Sequence, residues 1–235
     1  MVEFVYPPVI LSALAGFRLG GMRFDVVGTE NVPRKGGSVL ASNHVSYLDF
    51  IFVGLAAHPA KRLVRFMAKD SVFRSKVSGP LMRGMKHIPV DRQAGADAFD
   101  AAEKALSEGE IIGVFPEATI SQSFEIKEFK TGAARLAAKA DVPLIPMITW
   151  GGQRIYSKGT PRQLRRGHCI ALTVGEPIHP TVNDDPAEVT AELRGRMTEL
   201  WEATLDRYPD QPADDDDRWW LPASRGGTAP AESDL

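Results

Sequence analysis

The chain has one cysteine, Cys169, among 235 residues, so no intrachain disulfide can staple it. Cys169 follows His168, but the run Cys169-Ile170-Ala171-Leu172-Thr173-Val174 reads as a buried strand. That makes the thiol a packed side chain rather than an activated nucleophile. Long apolar runs are also missing. The apolar stretch at residues 9–17 falls short of the roughly 20 residues that a spanning helix needs. A secretory signal is not expected either. Ala13-Leu14-Ala15 resembles a cleavage site, yet the segment ahead of it holds Glu3 and no lysine or arginine. There is no internal repeat and no nucleic-acid-binding motif.

Net charge is low, −2, but unevenly spread. Residues 206–235 carry eight acids and three bases, which leaves the remainder net positive. Within that remainder, residues 61–92 hold nine bases, Lys69, Arg74, Arg83 and Arg92 among them, against Asp70 and Asp91. Such an excess points to an anionic partner. The interleaved Phe66, Met67, Val72, Phe73, Leu81 and Met82 favour a lipid or lipid-like substrate over nucleic acid.

Three parts follow from the patterning. Residues 1–22 form an apolar helical segment that either rests in one membrane leaflet or packs on the core. Residues 23–207 alternate strand and helix. Residues 208–235, acidic and rich in Pro, Gly and Ser, read as a mostly disordered tail. The Trp219-Trp220 pair is the exception, because two tryptophans are expected to dock somewhere. In the middle part, strand-like runs fall at 24–28, 38–41, 64–68, 87–90, 111–115, 143–149 and 169–174. Several are continuously apolar, as strands covered on both faces are. Helical stripes lie between them (Phe99, Ala102, Leu106; Ala133, Leu136, Ala137, Ala140; Val189, Leu193, Met197, Leu200, Trp201). The expected class is α/β, a mixed and largely parallel sheet flanked by helices.

The chemistry gathers in four short blocks. The first is Asn43-His44 followed by Asp49, directly after an apolar strand. An imidazole can take up a proton near neutral pH, and a carboxylate on one ring nitrogen leaves the other free to act as base. Five residues are about 140° around a helix, so the two side chains meet only if His44 sits in a turn ahead of the helix and reaches back. No serine or cysteine is obviously paired with His44, so the hydroxyl it would deprotonate belongs to a substrate. The second block, ending in Asp91-Arg92, presents a guanidinium suited to phosphate. The third, Phe115-Pro116-Glu117-Ala118-Thr119-Ile120-Ser121, is a strand end at which Glu117 could accept from a polyol. The fourth, Val142-Pro143-Leu144-Ile145-Pro146, is a buried strand. Lys130 opens the helix between the last two and could hold an anion.

In this order and spacing the blocks resemble the glycerolipid acyltransferases of the 1-acylglycerol-3-phosphate acyltransferase type, over residues 20–180. The resemblance implies an α/β sandwich with an N-terminal membrane-contacting helical segment, at the cytoplasmic face of the cell membrane. It implies that His44, oriented by Asp49, deprotonates the free hydroxyl of lysophosphatidic acid. The alkoxide then attacks an acyl thioester, acyl-CoA or acyl carrier protein, with no metal or other cofactor. Substrate contacts pass to Arg92, Glu117, Ala118 and Thr119. Two positions depart from the family pattern. Ala118 stands where the family has glycine, which disfavours a positive φ. Ile120 stands where the family has an arginine that helps hold the acceptor phosphate. Either Arg92, Lys69 or Lys130 takes over that task, or the acceptor is another lysophospholipid or a glycolipid. A non-catalytic lipid-binding relative is the remaining alternative.

Overall fold

A computed structural model of the chain describes residues 4–76, 78–90, 95–160 and 166–231. Among the described residues, fourteen helices and strands carry the fold. In chain order they are α1 (Tyr6–Leu19), β1 (Arg23–Val27), β2 (Ser38–Ser42), α2 (Asp49–Ala57), β3 (Val64–Lys69), α3 (Asp70–Arg74), α4 (Ser78–Gly84), β4 (Ile88–Val90), α5 (Gly95–Ser107), β5 (Ile111–Val114), α6 (Gly132–Ala140), β6 (Leu144–Trp150), β7 (Cys169–Val174) and α7 (Pro186–Arg207). The seven strands lie within a residue or so of the apolar runs. β2, β5, β6 and β7 are short and nearly all apolar, which suits strands buried on both faces, whereas the edge strand β1 is largely exposed.

The strands form one sheet in the order β1-β7-β6-β2-β5-β3-β4. Pairs β2–β6, β2–β5, β5–β3 and β3–β4 are parallel, β6–β7 is antiparallel, and β1 runs parallel to β7. The sheet is therefore mixed and largely parallel. Alternate side chains of the central strands feed two cores. Val39, Ala41, Leu144 and Ile148 face α5, α6 and α7. Leu40, Ile145 and Met147 face α2 and the Phe17 end of α1. Chain direction then determines where a site can form. The loop after β2 leads to α2 on one face, while the loop after the adjacent β5 leads to α6 on the other. A crevice opens between the carboxyl ends of two such strands. The first and third blocks occupy those two loops.

The C-terminal segment departs from the disordered tail expected of it. Residues 208–231 include two short 3₁₀ turns, Asp216–Trp220 and Ala223–Arg225. Tyr208, Trp220 and Ala229 are buried against the α7 side of the core. The acidic composition misleads because ion pairs to the body dock the segment at Asp210 and Arg225. Asp210 accepts from Arg154 at 2.6 Å and also from Arg23, and Arg225 pairs with Asp206.

Among the described residues, no helix is long and apolar enough to cross a membrane. α1 is pinned at both ends. Tyr6 Oη donates to the Val64 carbonyl at 2.7 Å, and Phe17 packs edge-on against Phe24 and tilted against Phe52. Its outer face leaves Leu11, Leu14 and Leu19 exposed.

Candidate active site

Past the end of β2, Asn43 extends the strand pairing with its side chain. Its Nδ2 donates to the Thr149 carbonyl at 3.1 Å, and its Oδ1 accepts from the Thr149 amide at 2.8 Å. A carboxamide has the same donor and acceptor as a peptide group, so it can dock on a strand as backbone would. This fixes where the chain leaves the sheet. His44 is the next residue and lies in the turn ahead of α2.

α2 begins at Asp49, and its carboxylate turns back into that turn. Oδ2 accepts from the amides of Val45 and Ser46, both at 2.7 Å, and lies 3.0 Å from His44 Nδ1. Oδ1 accepts from Thr149 Oγ1 at 3.0 Å. Asp49 is fully buried, and these four contacts satisfy it. Residues 45–48 form the cradle for the carboxylate ahead of the helix. With Asp49 as acceptor, Nδ1 carries the imidazole proton and Nε2 is left as the basic nitrogen. The ring is 21 % exposed, so Nε2 can be reached from solvent. Phe115 stacks on it at 4.2 Å with an interplanar angle of 17°, which holds its plane.

The third block closes the site from the β5 side. Ser121 N donates to the His44 carbonyl at 2.7 Å, and His44 N donates to Glu117 Oε1 at 3.0 Å. The two loops are thereby joined across the crevice. Glu117 differs from the polyol acceptor expected of it. It is 5 % exposed and aims at the backbone of His44. Burial pushes its carboxyl up to about 8, and the charge of Asp49 adds to this against the opposing His44 amide and Lys127. The side chain is therefore mostly protonated at neutral pH. A carboxyl raised in this way contributes stability that is complete below about pH 4.5 and is lost as pH rises through about 8. In chemical denaturation, Glu117→Gln should flatten that decline relative to wild type by on the order of 3–5 kcal/mol across the window. Parallel curves for the two proteins would exclude the neutral carboxyl.

At the tip of this block Ala118 and Thr119 are exposed, whereas Ile120 is buried. Ala118 takes φ +61°, so the turn keeps the left-handed conformation despite the methyl group. That costs about 1–2 kcal/mol relative to ordinary backbone. The Ala118 amide closes the turn on the Phe115 carbonyl at 3.0 Å. Ile120 is 6 % exposed and turned into the protein, so it offers nothing to an anion. Lys69 ends β3, the strand beside β5, and Lys130 is tied by its amide to the Pro116 carbonyl at 2.9 Å. Both are exposed and flank the third block. Arg92 lies outside the described residues. The second block is represented there by β4, which ends at Val90 in register with Lys69.

Thr149 was not singled out from the sequence, and Asn43, Phe115 and Ser121 were named in their blocks without a role. One signal was available for Thr149: it is a polar residue in the apolar run that follows the fourth block. A hollow of about 650 Å³ between α5, α6 and the segment ahead of α7 contains none of the site residues. Lys139 at its wall is already paired with Glu103.

The Acyltransferase family profile matches residues 23–150. A 1-acyl-sn-glycerol-3-phosphate acyltransferase of Bacillus subtilis is 31% identical over 202 residues, covering 82% of this chain and 92% of the relative. The protein of the same name from Borreliella burgdorferi is 29% identical, covering 60% of this chain and 56% of its own length. Among solved structures, the 1-acyl-sn-glycerophosphate acyltransferase of Thermotoga maritima superposes with a TM-score of 0.74 at 21% identity, covering 87% of this chain and 81% of that one. That likeness establishes a common fold.

Proposed function

The chain belongs to the glycerolipid acyltransferase family, and on that footing we propose that it transfers a fatty acyl group from an acyl thioester to the hydroxyl of lysophosphatidic acid, giving phosphatidic acid. The observation that carries this reading is the His44 Nδ1–Asp49 Oδ2 contact at 3.0 Å, with the far ring nitrogen open to solvent. His44 Nε2 takes the proton of the lipid hydroxyl as its oxygen attacks the thioester carbonyl. The tetrahedral intermediate collapses, the C–S bond breaks, and the imidazolium returns the proton to the departing thiolate. Asp49 stabilises the imidazolium while it lasts. The thioester, on coenzyme A or an acyl carrier protein, brings the acyl group already activated, so this chemistry needs no further cofactor.

Lys69 and Lys130 are the described candidates for the acceptor phosphate, and Arg92 follows β4 by two residues in the sequence. The buried Ile120 favours a second reading, in which the acceptor is another lysophospholipid or a glycolipid. Incubating the purified protein with a labelled acyl thioester and a panel of acceptors tests both. Labelled phosphatidic acid from lysophosphatidic acid, ahead of the other acceptors, is the expected product. Preferred acylation of a different acceptor would establish the second reading. Thioester loss to water alone, or none at all, would overturn both.

A membrane surface is the proposed source of the acceptor. α1 turns Leu11, Leu14 and Leu19 outward, and Val5 ahead of it packs so closely on Gly84 of α4 that a Cβ there would lie 2.6 Å from it. α3 and α4, at the carboxyl end of β3, add exposed Val72 and Leu81 among exposed Lys69, Arg74, Lys76, Arg83 and Lys86. Apolar side chains ringed by bases suit the headgroup region of an anionic leaflet. Binding to anionic vesicles should weaken at least tenfold in a Leu11→Asp/Leu14→Asp protein. Unchanged flotation with vesicles would remove α1 from the contact.

A further inference from the structure

We propose that Thr149 is a positioning residue for the catalytic pair, acting through Asp49. This rests on the acyltransferase reading and deepens it. Thr149 is buried, near the carboxyl end of β6, a hundred residues along the chain from Asp49. Its hydroxyl donates to Asp49 Oδ1 at 3.0 Å, the one contact on that oxygen among the described residues. The other carboxylate oxygen holds the amides of Val45 and Ser46 and the imidazole. Two amides on a single oxygen leave the carboxylate free to swing about that oxygen. The bond on Oδ1 removes this freedom and sets the plane in which the imidazole is met. Thr149 is itself immobilised, because Asn43 grips its amide and carbonyl on either side of the side chain. Asn43 precedes His44, so the same threonine locates both members of the pair relative to the sheet.

A valine at 149 keeps the shape and removes the hydroxyl, leaving a buried carboxylate oxygen without its donor. A serine keeps the hydroxyl and removes a methyl group from a packed position. A structural role predicts that both variants lose activity in proportion to lost stability. A positioning role predicts that activity follows the hydroxyl. Thr149→Val should lower kcat about tenfold, the worth of one hydrogen bond to a charged group, with KM for thioester and acceptor within about twofold. Thr149→Ser should restore kcat to within about threefold. In the Asp49→Ala background, Thr149→Val should change kcat less than about twofold, because its route to the imidazole is then cut.

A readout independent of turnover accompanies these. In protein labelled with ¹⁵N-histidine, the His44 Nδ1 proton should be resolved in wild type and Thr149→Ser and broadened or lost in Thr149→Val. That result without acyl transfer by wild type would sink the proposed function and leave the positioning role standing. Full kcat in Thr149→Val, failure of serine to rescue, or additive losses with Asp49→Ala would each overturn the positioning role. If the valine protein does not fold, the serine variant and the proton signal decide.

Discussion

Asp49→Asn should leave a folded protein whose kcat for acyl transfer is reduced by about 10²–10⁴-fold, with KM little changed. The direction of the asparagine is dictated by its surroundings. Val45 N and Ser46 N both need an acceptor at 2.7 Å, so the side-chain oxygen takes the Oδ2 position and the NH₂ turns to Thr149 Oγ1, a competent acceptor. The imidazole then keeps its Nδ1–H bond and its tautomer. What is lost is the negative charge 3.0 Å from the ring, which matters most when the ring becomes an imidazolium. The loss therefore falls on the chemical step rather than on substrate binding. Steady-state kinetics with varied thioester and acceptor, alongside thermal denaturation, checks this. A variant with kcat within threefold of wild type would remove Asp49 from the proton transfer.

Trp220→Ala should destabilise the fold by about 3–5 kcal/mol, although it lies beyond the last helix. Trp220 is 1 % exposed. Its ring lies 5.8 Å edge-on to Tyr208 and beneath the Arg154 guanidinium at 4.2 Å. Its carbonyl accepts from Gln153 Nε2. Removing the indole leaves a cavity and takes the aromatic face from a buried cation. Trp220→Phe, which keeps a face for Arg154, should lose less. The effect should also reach the site in part. Gln153 and Arg154 lie in the loop after β6, and the Tyr156 carbonyl of that loop accepts from Ser46 Oγ at 2.7 Å and Tyr47 N at 3.1 Å. Urea denaturation measures the stability change. A Trp220→Ala protein within about 0.5 kcal/mol of wild type would mean that the segment is not docked.

The strands were legible because each is a short apolar run between turn-forming residues, and the sheet buries both faces of most of them. The meeting of His44 with Asp49 was legible as a condition: the 140° offset requires His44 to precede the helix, and it does. Contacts between distant parts of the chain were not. Glu117 reads as an acceptor for a polyol until the His44 amide is brought to it. Thr149 reads as one residue of a core strand until β6 is laid beside β2. The tail fails for a related reason. Its acids suggest repulsion and disorder, but Asp210 finds Arg23 and Arg154 at least 56 residues upstream, and the Asp214–Asp217 run is held by local contacts with Arg218 and turn amides. Ala118 shows the limit of conformational preference, since the hydrogen bonds that join the two loops outweigh a strain of about 1–2 kcal/mol.

The most direct test of the central claim follows thiol release from a labelled acyl thioester by wild type and by a folded His44→Ala protein, each with and without lysophosphatidic acid. If His44 deprotonates the lipid hydroxyl itself, release by wild type requires the lipid, no acyl group is left on the protein, and the alanine variant falls by at least about 10²-fold. A stoichiometric burst of thiol without lipid, leaving an acylated side chain, would contradict the account, as would undiminished release by the alanine variant.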